Sequence, residues 1–87
     1  MIKITHIQPA GAARLKLSFS DSSSGEWAAD ELIARDTILT APLADPAYFA
    51  RAFVEAGALA WPNGLELSSD ALHMRLDEAG LLHKAAA

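Results

Sequence analysis

The stretch Trp61-Pro62-Asn63-Gly64-Leu65-Glu66-Leu67 decides how this chain folds. Residues 58–61 alternate small and large side chains, which is typical of a strand with one buried face. Pro62 lacks an amide hydrogen and ends strand pairing, and Asn63-Gly64 is a strong turn pair because both residues tolerate positive φ. Ser68-Ser69-Asp70 then offers a helix N-cap and an acid for the first helical turn. The stretch therefore predicts a strand, a turn, a short extended piece and the start of a helix.

Trp61 is predicted to anchor the hydrophobic core, because its large aromatic side chain can bury more apolar surface than any other residue. We favour its interpretation as part of a structural hinge between sheet and helix. The functional alternative is a small-ligand or enzyme site near Trp61, Asn63 and Glu66. That alternative requires a concavity between the three side chains.

The composition predicts one small domain spanning residues 1–87. Hydrophobic residues make up 52% of the chain, but 19 of them are Ala, which leaves few large side chains for a core. A core of this size argues against a deep substrate cavity. Because the chain has no Cys, disulfides, thiolate catalysis and thiolate-bound zinc are excluded.

Charge and hydropathy limit the expected partners. The net charge of −4 repels phosphate backbones and disfavours nucleic-acid binding. No apolar run of signal-peptide length follows Lys3, and no segment approaches the about 20 apolar residues of a membrane span. We therefore expect a cytoplasmic bacterial protein with no membrane partner.

The first predicted strand covers residues 2–8. Ile7 breaks its period-2 alternation, which indicates a bulge or a twist near His6. Pro9-Ala10-Gly11 is predicted as a loop that ends this strand.

The second predicted strand, residues 13–20, has the cleanest alternation in the chain. A polar hairpin loop at residues 21–25 leads to a third strand around Trp27. The three strands are expected to form an antiparallel meander. The side chains expected to point inward are those of Leu15, Leu17 and Phe19, and those expected to point outward belong to Arg14, Lys16 and Ser18.

Lys3, Arg14 and Lys16 are expected to share the outer face of the first hairpin. A solvated sheet face is the simplest interpretation of these cations. The functional alternative is a docking face for an acidic partner or for nucleic acid, although no aromatic side chain interleaves the cations.

A short helix is predicted to begin at Asp45-Pro46, with Asp as N-cap and Pro at the first helical position. Its end is open, because residues 48–56 can stay helical by composition. Alternatively, the helix stops near Ala50, and Ala52 and Val54 face inward from a strand. We favour a strand over residues 51–55, because a glycine follows where a tight hairpin needs one.

The C-terminal helix is predicted over about residues 69–79, with Gly80 just after its end. His73 lies off the apolar stripe of this helix and is expected on its solvated face. A tail is expected from about residue 81, in which Leu81-Leu82 can pack back and residues 83–87 are frayed. The apolar stripe consists of Leu72, Leu76 and Ala79.

No group of residues predicts catalysis. His6, His73 and His83 are not at a metal-binding spacing. The serines of Asp21-Ser22-Ser23-Ser24-Gly25 lack the strand–turn–helix context of a nucleophile elbow, and turn chemistry explains them. The acids are explained as solvated groups and helix caps. The sequence therefore predicts no catalytic residue, no metal site and no cofactor.

Four segments together carry a family resemblance. They are Ile4-Thr5-His6-Ile7-Gln8-Pro9, Leu15-Lys16-Leu17-Ser18-Phe19-Ser20-Asp21 with Gly25, Pro42-Leu43-Ala44-Asp45-Pro46-Ala47-Tyr48-Phe49, and Trp61-Pro62-Asn63-Gly64. The pattern resembles a family of small bacterial proteins, domain of unknown function family 2442. The resemblance covers nearly the whole chain to about Leu76, and its last segment is the most specific. This chain has Glu66 where the family usually has Asp.

The resemblance implies a small α+β fold with a three-stranded antiparallel meander, a short helix, a second β-hairpin and a C-terminal helix. It implies no established activity. Family members are frequent neighbours of another small protein, in an arrangement reminiscent of toxin–antitoxin pairs.

Three hypotheses about function follow. The first is a non-enzymatic, antitoxin-like interaction module that binds a small protein partner encoded nearby, and exposed sheet edges can also support a homodimer. The second is a nucleic-acid accessory protein that uses Lys3, Arg14 and Lys16. The third is a small-ligand binder with a site near Trp61.

Overall fold

The computed structural model describes residues 1–84 and confirms the predicted α+β fold. Two small antiparallel sheets and a C-terminal helix pack around one hydrophobic core. The strands are β1 (Ile4–Gly11), β2 (Arg14–Phe19), β3 (Ser23–Ala28), β4 (Phe53–Glu55), β5 (Ala58–Ala60), β6 (Glu66–Leu67) and β7 (His83–Lys84). The helices are α1 (Asp30–Arg35), α2 (Pro46–Phe49) and α3 (Ser69–Glu78), with a 3₁₀ helix at Ala41–Ala44. None of the helices in this part of the chain is long and apolar enough to cross a membrane.

The larger sheet contains the predicted meander, with strand order β1-β2-β3-β7. A register shift between Ile4 and His6 confirms the predicted bulge. The prediction of a loop at Pro9-Ala10-Gly11 is wrong, because β1 continues to Gly11 and the chain turns at Ala12-Ala13. Pro9 is tolerated in β1 because β1 is an edge strand. The Pro9 nitrogen, which has no hydrogen to donate, can face the side of β1 that has no neighbouring strand.

Strand β2 buries one face, as its alternation predicts. Leu15, Leu17 and Phe19 are buried, whereas Arg14 and Lys16 are exposed. Each buried side chain removes apolar surface from water, at about 25 cal/mol per Å². This face of β2 therefore forms one wall of the core.

Helix α2 ends at Phe49, which confirms the interpretation of a short helix followed by a strand. The Asp45 carboxylate caps this helix by accepting a hydrogen bond of 3.0 Å from the Ala47 amide. Strands β4 and β5 then pair around Ala56-Gly57, whose φ angles of 50° and 85° are those of a type I′ hairpin turn.

The prediction that Val54 faces inward is wrong, because its side chain is 36% exposed and every residue of β4 is exposed. The smaller sheet has the order β4-β5-β6, so β4 lies at its edge, and the core packs against β5. Ala52, just before β4, is partly buried against the core.

Trp61 anchors the core, as predicted, and is 1% exposed. Its indole Nε1–H donates a hydrogen bond of 3.1 Å to the Phe49 carbonyl, which ties the smaller sheet to α2. The centroid of its ring lies 6.2 Å from that of Trp27 and 5.7 Å from that of Phe49. After Trp61 the chain reverses in a turn closed by the Gly64 amide, which donates to the Trp61 carbonyl at 3.1 Å.

Helix α3 buries Leu72 and Leu76 as predicted, but Ala79 is exposed at its end. Gly80, with φ of 72°, reverses the chain, and the Leu81 amide donates to the Leu76 carbonyl at 2.9 Å in a Schellman arrangement.

The prediction of a frayed tail is wrong for His83–Lys84, because these residues form β7 and pair with Ser23 and Ser24 of β3. Leu82 is partly buried and helps to hold this return of the chain against the core. The remaining predicted tail, residues 85–87, lies outside the described residues.

Candidate functional site

The residues of the predicted ligand site lie between the end of β5 and the start of β6. Trp61 is buried, whereas Asn63 and Glu66 are exposed. The Asn63 amide group donates to the Leu39 carbonyl and accepts from the Leu65 amide, each at 3.1 Å. These are contacts that hold a turn in place, and none of the three predicted residues lines either of the two cavities described below.

Lys3, Arg14 and Lys16 are all exposed, but they do not form a compact basic patch. Lys3 lies beside Ser20, whose backbone amide donates to the Lys3 carbonyl. Arg14 is six residues before Ser20, so about 20 Å of extended chain separates Arg14 from the position of Lys3. In the β2–β3 register Lys16 lies directly opposite Glu26, so an acid shares its surroundings. The cations are therefore dispersed along the sheet.

The prediction of a solvated His73 is wrong, because its side chain is only 15% exposed. Its Nε2–H donates a hydrogen bond of 2.9 Å to the Asp21 carboxylate, and its ring lies edge-on to Phe19 with centroids 5.0 Å apart. This contact joins α3 to the hairpin between β2 and β3. Every buried side-chain nitrogen and oxygen atom among residues 1–84 has a hydrogen-bond partner, and no metal-binding cluster of His, Asp and Glu occurs there.

The Asp21 carboxylate is stabilised in its charged form, which lowers its pKa to about 2. The largest cause is the hydrogen bond from the Ser23 hydroxyl, followed by the hydrogen bond from the Ser23 amide, with a smaller contribution from His73. This is turn chemistry, as predicted for the loop, in which a carboxylate accepts from the residue two positions ahead.

The lowered pKa of Asp21 predicts a loss of stability in acid. A carboxyl group whose pKa is lower in the folded state stabilises the fold above its unfolded pKa of 3.8 and loses that contribution as the pH falls toward about 2. We expect wild-type protein to lose more stability between these pH values than Asp21→Asn, which can still accept from Ser23 but carries no charge. Urea unfolding midpoints measured against pH check this, and parallel curves for the two proteins would contradict it.

One open groove, which the sequence did not predict, has a volume of about 1110 Å³. Strand β3 contributes residues 26–28, while α1 and α3 contribute the two walls. A second cavity, of about 340 Å³, lies between the β1–β2 turn and α2. The large apolar side chains of the first groove, called the α1–α3 groove below, are Trp27, Leu32, Leu67, Leu72, Met74, Leu76 and Leu81.

The wall formed by α3 follows from its helical periodicity. Ser68 caps the helix by accepting from the Ala71 amide, and Leu72 and Leu76 turn one stripe to the core. Ala71 and Met74, three positions apart, then lie on a neighbouring stripe that lines the groove. The exposed fraction of Met74 is 60% and that of Leu81 is 49%, so the groove presents apolar surface to solvent.

Charged side chains surround this apolar surface. Arg75 on α3 donates a hydrogen bond of 3.0 Å to the Glu31 carboxylate on α1, and this exposed ion pair spans the groove. Such a surface pair contributes only about 0–1 kcal/mol and can open at little cost. The acids that line the groove are Glu26, Asp30, Glu31, Asp70 and Glu78, and the bases are Arg35 and Arg75.

Comparisons of this chain with family models, with curated proteins and with solved structures find no match. The resemblance to domain of unknown function family 2442 therefore stays an expectation from the sequence.

Proposed function

We propose that this protein is a non-enzymatic interaction module, antitoxin-like in its mode of action, that binds a small protein partner in the α1–α3 groove. The observation that carries the proposal is the exposure of Met74 and Leu81 in an open concave surface. Exposed apolar groups gathered in a groove and rimmed by polar residues are typical of surfaces that bind another protein.

The chemistry of the groove supports a protein partner over a small polar ligand. Met is unbranched and polarisable, so it adapts to apolar side chains of different shapes. Burying Met74 and Leu81 in a complex would remove their surface from water, at about 25 cal/mol for each Å² of apolar area. A few such side chains at the centre of an interface commonly supply most of its binding energy.

Co-expression with the protein encoded by the neighbouring gene tests the proposal. We expect the two proteins to elute together in size-exclusion chromatography at micromolar concentration. Independent elution at this concentration would contradict the proposed function.

Substitution of the two exposed apolar side chains is expected to weaken this complex. Met74→Gln with Leu81→Gln replaces apolar groups by polar ones of similar size, and we expect the dissociation constant to rise about tenfold or more. Isothermal titration calorimetry measures the change. The matched control is Val54→Thr, which makes a similar exposed substitution on β4, far along the chain from the groove, and should change the dissociation constant less than twofold. Equal effects of the two variants would show that the partner does not use the groove.

A further inference from the structure

The lining of the α1–α3 groove carries a net negative charge. Its lining has five carboxylates and two guanidinium groups, which gives a net charge of −3, whereas the whole chain has −4. One of the two cations, Arg75, is already paired with Glu31. A partner that fills the groove must therefore supply positive charges or hydrogen-bond donors to the carboxylates and apolar side chains to the centre of the groove.

The volume of the groove is large enough for a short helical segment. A helix with its side chains is about 10–12 Å across and rises about 5.4 Å per turn, so one turn occupies about 400–600 Å³. The groove volume of about 1110 Å³ thus corresponds to about two turns. An added strand has less to pair with, because β7 already covers Ser23 and Ser24 of β3 and leaves only residues 26–28 beside the groove.

We infer that the α1–α3 groove binds a basic amphipathic helix of the partner protein. The inference rests on the proposed function and adds the chemistry of the partner to it. The apolar stripe of the helix packs on Met74, Leu81 and Trp27, and its Lys or Arg side chains reach the carboxylates on both walls. Glu31 exchanges its ion pair with Arg75 for one with the incoming helix.

Three synthetic peptides of 14 residues test this inference with the full-length protein. The first is an amphipathic helix with a Leu stripe and Lys on its other faces, the second has Glu in place of each Lys, and the third has the composition of the first in an order without a stripe. We expect the first peptide to bind at least tenfold more tightly than the other two in fluorescence anisotropy. We also expect its affinity to fall as salt is added, because added ions screen exposed charges.

Matched variants of the protein locate the binding site. Glu26→Gln with Glu78→Gln removes two groove carboxylates and should weaken binding of the Lys peptide about fivefold. Glu55→Gln with Asp77→Asn changes the net charge equally at exposed residues outside the groove lining, and should change binding less than twofold. Arg75→Gln should tighten binding about twofold, since it removes the cation that competes for Glu31.

Each contrary result has a distinct meaning. Equal binding of the Lys and Glu peptides overturns the inference but leaves the proposed function, because a partner could still use the apolar surface. Binding of none of the peptides below millimolar concentration also overturns it, and co-elution with the neighbouring gene product then decides the proposed function alone. A wild-type dimer in analytical ultracentrifugation that Met74→Gln dissociates overturns it too, because a second copy of the chain then occupies the groove.

Discussion

Trp61→Ala is expected to lower the free energy of unfolding by about 3–5 kcal/mol. The indole is 1% exposed and packs against the rings of Trp27 and Phe49, so its removal leaves a cavity where the two sheets meet α2. The Phe49 carbonyl also loses the hydrogen bond from Nε1. Urea unfolding followed by circular dichroism measures the change.

Trp61→Phe retains an aromatic ring but removes the hydrogen bond from Nε1, so it helps to distinguish the contribution of packing from that of the hydrogen bond. It also gives a measurement if Trp61→Ala does not fold. Small domains have unfolding free energies of about 5–15 kcal/mol, so the Ala variant can consume much of the total. The Phe variant keeps an aromatic ring but removes the hydrogen bond from Nε1, so the Phe49 carbonyl keeps only the bond of 3.3 Å from the Ala52 amide, and the lost hydrogen bond costs about 0.5–1.5 kcal/mol. A loss below about 1 kcal/mol for Trp61→Ala would contradict the role of Trp61 as the anchor of the core.

Gly25→Ala is expected to destabilise the fold by about 1–3 kcal/mol through overpacking. A Cβ at this position of β3 would lie 2.7 Å from the Leu81 carbonyl oxygen and 3.1 Å from Cδ1 of Leu76. The first contact is with backbone, so the chain between α3 and β7 must move. We therefore expect both a lower urea midpoint and faster amide hydrogen exchange at His83 and Lys84.

Ser24→Ala is the matched control for Gly25→Ala. Ser24 precedes Gly25 on β3, already carries a Cβ and is only partly buried, so the change should stay within about 0.5 kcal/mol. Stability of Gly25→Ala at or above that of wild type would show that the close approach of Leu81 is not required. Gly25→Ala also displaces Leu81, which lines the α1–α3 groove. We therefore expect a partner that uses the groove to bind Gly25→Ala more weakly than wild type.

The sequence predicts the parts of this fold that depend on local rules. The alternation of Leu15, Leu17 and Phe19 gives β2, because period 2 places every second side chain on one face. The hairpin at Ala56-Gly57 follows from the backbone freedom of glycine, and the N-cap of α2 follows from the short carboxylate side chain of Asp45. These elements need no information from distant parts of the chain.

The errors lie where a distant contact decides the outcome. His73 is off the apolar stripe of α3, yet Asp21 and Phe19, more than fifty positions earlier, cover most of its side chain. Strand β7 is two residues long and pairs only because Gly25 admits the backbone of Leu81. Neither partner can be found from periodicity within α3 or its tail.

The α1–α3 groove was missed for a similar reason. Met74 stands beside Ala71 on α3, outside the stripe of Leu72 and Leu76, and this second weak stripe is the one signal in the sequence. Its meaning depends on α1, which lies across the groove and touches α3 through the Arg75–Glu31 pair. The candidate site therefore arises from tertiary placement, whereas the predicted one at Trp61, Asn63 and Glu66 follows local motif chemistry.

The outer strand β1 is a poor template for the growth of a sheet from one molecule to the next. It is kinked by the bulge near Thr5, it carries Pro9, and the Ile4 amide is already taken by the Gly57 carbonyl of the β4–β5 turn at 2.8 Å. Cross-β assembly needs a long, flat row of free backbone groups, which this strand does not offer. The fold thus keeps its longest edge strand out of fibril-like stacking.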